Sequence, residues 1–272
     1  MPIWLQGLLF TLSVVAVACV IVALLQRFAP PTDRAHNNEL GTTIFELLTV
    51  LYAIVLAFVL ITAWENKNEA GQVTYREANE LVDVYWSAAA LDPEQRDEVR
   101  AAVRAYTNEV IGEEWSAMRD QEPVSSEGLM LLDEMRAPVA GSLSDEEVVR
   151  ARLDATQSGI LAISEYRTER LFAAQSGLSA AMWTVLVPGA VLVFAVMLTL
   201  GTPTRKYQFV LVGLISGMVA LMLFATYQLE YPFSRSGATD PVAYEIAVER
   251  FDSIDANYAE STLLSELWAL TP

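Results

Sequence analysis

Apolar residues in this chain gather into four long runs, at roughly 4–26, 43–63, 179–200 and 209–229. Each is long enough to cross the hydrocarbon core of a bilayer, which takes about 20 apolar residues in a helix. The first run ends at Gln26-Arg27 and the second at Trp64-Glu65. The third extends from near Leu178 to Gly201, and the fourth reads FVLVGLISGMVALMLFATYQL. Only one side chain charged at neutral pH, Glu46, lies inside these runs. The pattern predicts an all-α membrane protein with four transmembrane helices. A cleaved signal peptide is the competing reading of the first run. Against it, the run has no basic n-region and continues too long before its first charge at Arg27.

Between the second and third runs the pattern changes to helical stripes. REANELVDVYWSAA places Ala78, Leu81, Val82, Tyr85 and Ala89 on one face. Asp92-Pro93 supplies an N-cap and a first helical residue. The helix it opens is expected to reach about Arg119, with Val99, Val103, Tyr106 and Val110 turned inward. DQEPVSSEG reads as a loop, and a short helix comes next at about 127–137, ending near Pro138. Ser144 in SLSDEE opens another helix, striped by Val149, Leu153, Thr156, Ile160 and Ile163. Its pattern allows it to continue unbroken into the third span. The second span can likewise run through Trp64 into the helix at 66–90, and the two would form a stalk. After the fourth span, Pro232 stops the helix and Arg235, Ser236 and Gly237 make a turn. A tail helix then carries Ala243, Ile246, Ala247, Arg250 and Ile254 on the face expected to pack on the stalk. The domains read as spans 1 and 2 (1–64), an acidic helical extramembrane domain inserted between spans 2 and 3 (65–178), spans 3 and 4 (179–230), and an acidic helical tail (231–272).

Charge sharpens this division. The net charge is −17, with 23 acids against 11 bases over 65–178 and 8 against 2 from Glu230 onward. Such a surface repels nucleic acid and anionic headgroups, so no nucleic-acid partner is expected. The short loops 27–42 and 201–208 carry Arg27, Arg34, Arg205 and Lys206 against Asp33 and Glu39. The short-loop charge rule puts them in the cytoplasm and the acidic domain and termini outside the plasma membrane. Lys67, Arg76, Arg167, Arg170 and Arg235, near span ends, argue the other way.

The single histidine and single cysteine, His36 and Cys19, exclude an internal disulfide and a thiolate metal cluster. No metal or cofactor is expected. No phosphate loop, G-x-S-x-G or H-E-x-x-H is present, so no enzyme is expected. The remaining acids sit at helical surface spacing and read as a solvated face. Glu46 differs, because an ionisable residue inside a membrane helix is costly and marks function by default. Thr42, Glu46, Thr49, Ala53, Ala57 and Leu60 recur at i+3/i+4 steps. Repeated around a symmetric oligomer, this stripe lines a pore with an acidic ring of the kind that selects cations. Alternatively Glu46 snorkels to the headgroups or pairs with Arg34, Arg205 or Lys206. His36 and Glu39 stand at the mouth of that span, where Asn37 or Asn38 is a natural N-cap. Gly213 and Gly217 form a small-residue packing face. Pro188-Gly189 interrupts the third span, as a gating kink or a static bend. Trp4, Trp64, Trp183 and Tyr207 fit an interfacial aromatic belt, and Trp86 and Trp115 are expected in the core of the acidic domain.

Several stretches together carry a family resemblance: HNNELG before the second span, LYAIVLAFVLITAWE within it, REANEL and YTNEVIGEEWSAM in the acidic domain, LSAAMW opening the third span and YPF closing the fourth. In this order they resemble the bacterial bestrophin-like membrane proteins. The resemblance implies the architecture of bestrophins proper, which are pentameric four-span ion channels with a pore lined by the second span and a cytosolic helical domain. The second span here has no proline and no counterpart of the Ile-Pro-x-x-Phe-type constriction. The expected function is a homo-oligomeric, cation-leaning channel whose partners are the bilayer, inorganic ions and further copies of itself. The alternatives are a non-conducting scaffold or sensor that binds a partner through 65–178, and a small-solute transporter, for which no inverted repeat is visible. If His36 sits at a pore mouth, it titrates near neutral pH. Activity measured from about pH 5 to 8 should then change with pH in the wild type and flatten in His36→Ala; matching profiles leave the stretch as a capped helix entry.

Overall fold

The computed structural model describes residues 2–28, 38–140, 147–200, 204–235 and 237–269, without the side chains of 28, 38–40, 148 and 259–269. Ser144 and His36 therefore lie outside the described residues. All regular structure among the described residues is helical. The helices are α1 (Ile3–Phe28), α2 (Asn38–Ser87), α3 (Pro93–Glu109), α4 (Trp115–Asp120), α5 (Glu127–Arg136), α6 (Glu147–Gln175), α7 (Ala180–Thr199), α8 (Arg205–Leu229) and α9 (Val242–Ala269). A π-helical turn, Val110–Glu114, joins α3 to α4. Among the described residues, four helical stretches are long and apolar enough to cross a membrane, and they coincide with the four apolar runs. At 1.5 Å per residue the 20 residues of α7 reach about 30 Å, one hydrocarbon thickness.

The second span does continue through Trp64, as one helix of 50 residues. Its polar stretch Glu65–Gln72 holds no proline, and one glycine costs a helix only about 1 kcal/mol. The third span does not join the helix before it: α6 ends at Gln175, residues 176–179 are non-helical, and Ser179 takes an extended cap conformation before α7. Gly177 lies in this break and leaves room for the Tyr231 ring, since a Cβ there would stand 2.6 Å from Tyr231 Cζ.

The described residues form two compact units. One is drawn from Met1–Lys67, Gly177–Tyr231 and Arg235–Gly237, the other from Asn68–Ser176, Pro232–Ser234 and Ala238–Pro272. In the first, α1 packs along α8. The helices come close at Gly7, where a Cβ would lie 2.9 Å from Phe224 Cε1. Buried Gln26 donates to Gln208 Oε1 at 3.0 Å, which satisfies two amides that a bilayer would otherwise leave unpaired. Tyr52, Leu56 and Val59 of α2 pack with Leu186 and Val193 of α7. Past the end of α8, Glu230 accepts from Trp183 Nε1 at 2.9 Å, and Arg235 lies 3.9 Å from the Tyr227 ring centroid.

In the second unit the inward stripes keep the expected register. Ala78, Leu81, Tyr85, Val99, Val103, Tyr106, Val110, Leu153, Thr156, Ile160 and Ile163 are buried. Trp115 is buried too, against Phe233 and Tyr244. Trp86 is not core: it is 55% exposed, with the Arg152 guanidinium 5.2 Å from its ring centroid. The tail face is also rotated. Ala243, Tyr244, Ala247 and Phe251 are buried, while Ile246 is 52% exposed and Arg250 exposed. Tyr244 and Phe251 bring more apolar area inward than Ile246, and Phe251 stacks on Tyr85 at 4.5 Å.

At the centre of this unit lies a charge network the surface-spacing reading missed. Glu77, Glu114 and Arg170 have no exposed side-chain surface, so these two acids are not part of a solvated face. Arg170 donates to Glu77 Oε2 at 2.8 Å and Oε1 at 3.2 Å, and to Glu114 Oε2 at 2.7 Å. Arg167 reaches Glu114 Oε1 at 2.6 Å, and Tyr106 OH donates to Glu77 Oε1 at 2.5 Å. Gly128 makes the space, since a Cβ there would stand 2.3 Å from Glu114 Oε1. Desolvation works against the charge on Arg170, but Glu77 and the surrounding groups hold its pKa well above the ordinary value. Burial, and after it the charge of Glu77, pushes the Tyr106 phenol well up. Removing one member of such a buried set strands a charge, at about 3–5 kcal/mol. Arg170→Met should therefore destabilise this unit by that order in chemical denaturation, whereas Arg76→Met, on an exposed position, should change it little.

The tail helix is held a second time, at Asp255. Arg100 Nη1 reaches its Oδ1 at 3.1 Å, Arg104 Nη2 its Oδ2 at 2.8 Å, and Tyr85 OH donates at 2.6 Å. Burial alone would raise the Asp255 pKa; the bonds from Tyr85 and Arg104 and the charge of Arg100 overcome it and hold the carboxyl below its ordinary value. Its contribution is thus present above the unfolded value of about 3.9 and is lost as pH falls through the lower folded one. Asp255→Asn at neutral pH should mimic that loss: amide exchange should quicken across Val242–Tyr258, and acidification of the wild type below the carboxylate range should do the same.

Candidate functional site

The predicted pathway residues lie on one helix, α2, and register alone brings them to one side of it. Thr42, Glu46, Ala53 and Ala57 are exposed, and Thr49 and Leu60 are half-buried. Thr49 Oγ1 donates to the Phe45 carbonyl at 2.7 Å, which ties its hydroxyl to its own helix. The residues between them, Tyr52, Leu56, Val59 and Ala63, are buried. So α2 has two unlike sides. One is apolar and packed within the unit. The rest of the helix is largely exposed: large apolar side chains such as Leu47, Val50, Ile54 and Phe58 share it with Glu46, Ala53 and Ala57.

Among the described residues no ion pair reaches Glu46, so the pairing with Arg205 or Lys206 is not formed. Arg34, the third candidate partner, lies outside the described residues. A carboxylate on a membrane helix is tolerable where water, headgroups or a neighbouring protein face it. Glu39 lies in the first described turn of α2, and its side chain is outside the description. Gly213 and Gly217 face α1: a Cβ at the first would lie 3.8 Å from Val15 Cγ1, and at the second 3.5 Å from Val15 Cγ2. These are ordinary contacts, so neither glycine is sterically required. Pro188 sits within the continuous helix α7. Among the described residues, no group of three or more His, Cys, Asp and Glu side chains is placed to hold a metal.

Arg167, Arg170, Glu77 and Glu114 are the residues that sequence reading left on the surface or used only as topology signals. The available signal was register. Thr156, Ile160 and Ile163 continue at helical steps to Arg167 and Arg170, and Tyr106 and Val110 continue to Glu114.

Among the described residues, four apolar helices and an all-helical structure define a multi-pass membrane protein. The chain belongs to the bestrophin-like family: the Bestrophin-like domain matches residues 12–244. A bacterial bestrophin homologue from Klebsiella pneumoniae is similar in fold, with a TM-score of 0.64 at 16% identity over 91% of this chain and 97% of that one. A point variant of a bacterial bestrophin homologue from the same organism gives 0.64 at 14% identity, over 93% and 98%. A crystal structure described as a membrane protein gives 0.62 at 15%, over 93% and 98%. At these identities the likeness is one of fold. No curated protein matches the chain.

Proposed function

We propose that this chain forms a homo-oligomeric ion channel in the plasma membrane, with α2 lining the pore and a preference for cations. The observation that carries the reading is the exposed Glu46 of α2, in register with Thr42, Thr49, Ala53 and Ala57, for which the described residues supply no ion-pair partner. Family membership supports it, because bestrophins proper conduct ions. Several copies around an axis turn one Glu46 into a ring, and a ring of carboxylates concentrates cations at low cost in contacts. The acidic residues of 65–178 supply a vestibule of the same sign. Glu39 in the first turn of α2, and His36 just before it in the sequence, belong to the mouth in this reading.

A second reading has its own observation. On the second unit, α3 and α5 border an open groove of about 450 Å³ lined by Ala101, Ala102, Ala105, Ala137 and Pro138, with Glu98 and Glu134 beside it. A non-conducting scaffold would use 65–178 to hold a partner and would be indifferent to Glu46. Planar-bilayer recording separates the two. The channel reading expects single-channel currents from purified protein and a cation-over-anion preference that falls several-fold in Glu46→Gln. Silence over a range of voltage, pH and calcium overturns it, and a stable complex captured through 65–178 with unchanged behaviour of Glu46→Gln establishes the scaffold.

A further inference from the structure

Tyr52 is the unusual residue on the packed side of α2. It is 8% exposed, and among the described residues its hydroxyl has no hydrogen-bond partner. Its neighbours Leu56, Val59, Leu186 and Val193 are apolar. A buried hydroxyl without a partner costs roughly 1–3 kcal/mol, and such groups are rare enough that each needs an explanation. Phenylalanine would fill the same space without that cost.

The ring sits against one particular place on α7. A Cβ at Gly189 would stand 2.8 Å from Tyr52 Cδ2 and 3.0 Å from Cε2, so the ring occupies a notch that only glycine leaves open. The residue before it is Pro188, inside the helix. Pro188 has no N–H for the Thr184 carbonyl, and a proline in a helix interior loosens or kinks it at that turn. The α2–α7 contact therefore combines a weakened turn, a notch and a hydroxyl left unmet in this packing.

We propose that Tyr52 in the Pro188-Gly189 notch is the pivot of a two-state movement of α7 against α2, and that the state opposite to the one described gives the Tyr52 hydroxyl its hydrogen bond. The hydroxyl is then a bias between two packings, which is the use a protein has for a polar group kept at a cost. The inference deepens the channel reading, because the same helix carries Glu46 on its other side, but it does not require current to be seen.

The test is a distance measurement on the full chain in lipid nanodiscs. Spin labels go on exposed sites of the two helices, Ile54→Cys and Val191→Cys, in a Cys19→Ala background diluted with unlabelled protein. The wild type should show two distance populations. Tyr52→Phe should deplete the second by roughly threefold to tenfold, the worth of one hydrogen bond between membrane helices. Gly189→Ala should enrich it by pushing the ring from its notch. One population in the wild type overturns the pivot. So does a ratio that Tyr52→Phe leaves unchanged, in which case the hydroxyl is an orphan in a single state and the phenylalanine variant is simply more stable. Recording both variants in bilayers keeps the readings apart. A ratio that moves without any current overturns the channel and leaves the pivot; current with an unmoved ratio does the reverse.

Discussion

Arg170 has no access to water, and the second unit is organised around that fact. A guanidinium offers five N–H donors and cannot lose its charge. Its carboxylate partners come from α2 and from the π turn, and its neighbour Arg167 shares the second of them. Two acids and two bases bring the net charge of the set to zero, with Tyr106 taking a remaining lone pair of Glu77. Each helix in the set is thereby fixed in rotation as well as position, because a slip of one residue would strand a charge. The π turn has a place in this. An extra residue in one turn rotates the helix beyond it, and Glu114, Trp115 and Met118 all come inward at or after that turn. Whether such a cluster adds stability over an apolar core is a separate matter, since buried pairs often only break even. What it supplies is one register and no other.

The first unit answers to a different solvent. In a bilayer apolar side chains gain nothing by leaving lipid for protein, so contact depends on shape and on polar groups needing partners. Gly7 against Phe224 is a shape contact, and Gln26 with Gln208 is a polar one. The many exposed leucines, valines and isoleucines of α1, α2 and α8 would be a fault in a water-soluble protein. Here they are the surface that the lipid requires.

How far residues announced this structure depends on the same divide. Spans were legible because apolar runs of that length have one physical use, and the second unit's helices because valine, leucine and tyrosine recur at 3.6-residue spacing. Asp92-Pro93 placed the start of α3 for the reason it usually does. Misreadings arose where residue type was weighed above position. Glu77 and Glu114 looked like surface because acids usually are, although register pointed them inward. Trp86 looked like core because tryptophan usually is, although Tyr85 beside it already held the inward place. On the tail, Ile246 was preferred to Phe251 and turned the face by a residue. At the break at 176–179 Gly177 meets Tyr231, a contact between residues 54 positions apart that no local pattern carries. Within α2 the spacing of Glu46 and its neighbours was readable, and their freedom from cover was not, since that depends on where Tyr52 and Leu56 find their partners.

That dependence links the two sides of α2. A straight helix has a fixed angle between positions, so burying Tyr52, Leu56, Val59 and Ala63 against the unit turns Glu46, Ala53 and Ala57 away from it. The packed side needs no instruction beyond packing, and Glu46 then faces outward as a consequence, beside the apolar side chains that meet lipid. The arrangement also constrains change. Any movement of α7 that rotates α2 through the Tyr52 contact must swing the carboxylate with it, because no glycine or proline interrupts α2 between Thr42 and Ala70. Stiffness in α2 and a weak turn in α7 put the give on one helix and the charge on the other. The helix α2 can then hold its carboxylate steady while its neighbour moves, or carry it as a rigid lever when the neighbour turns it.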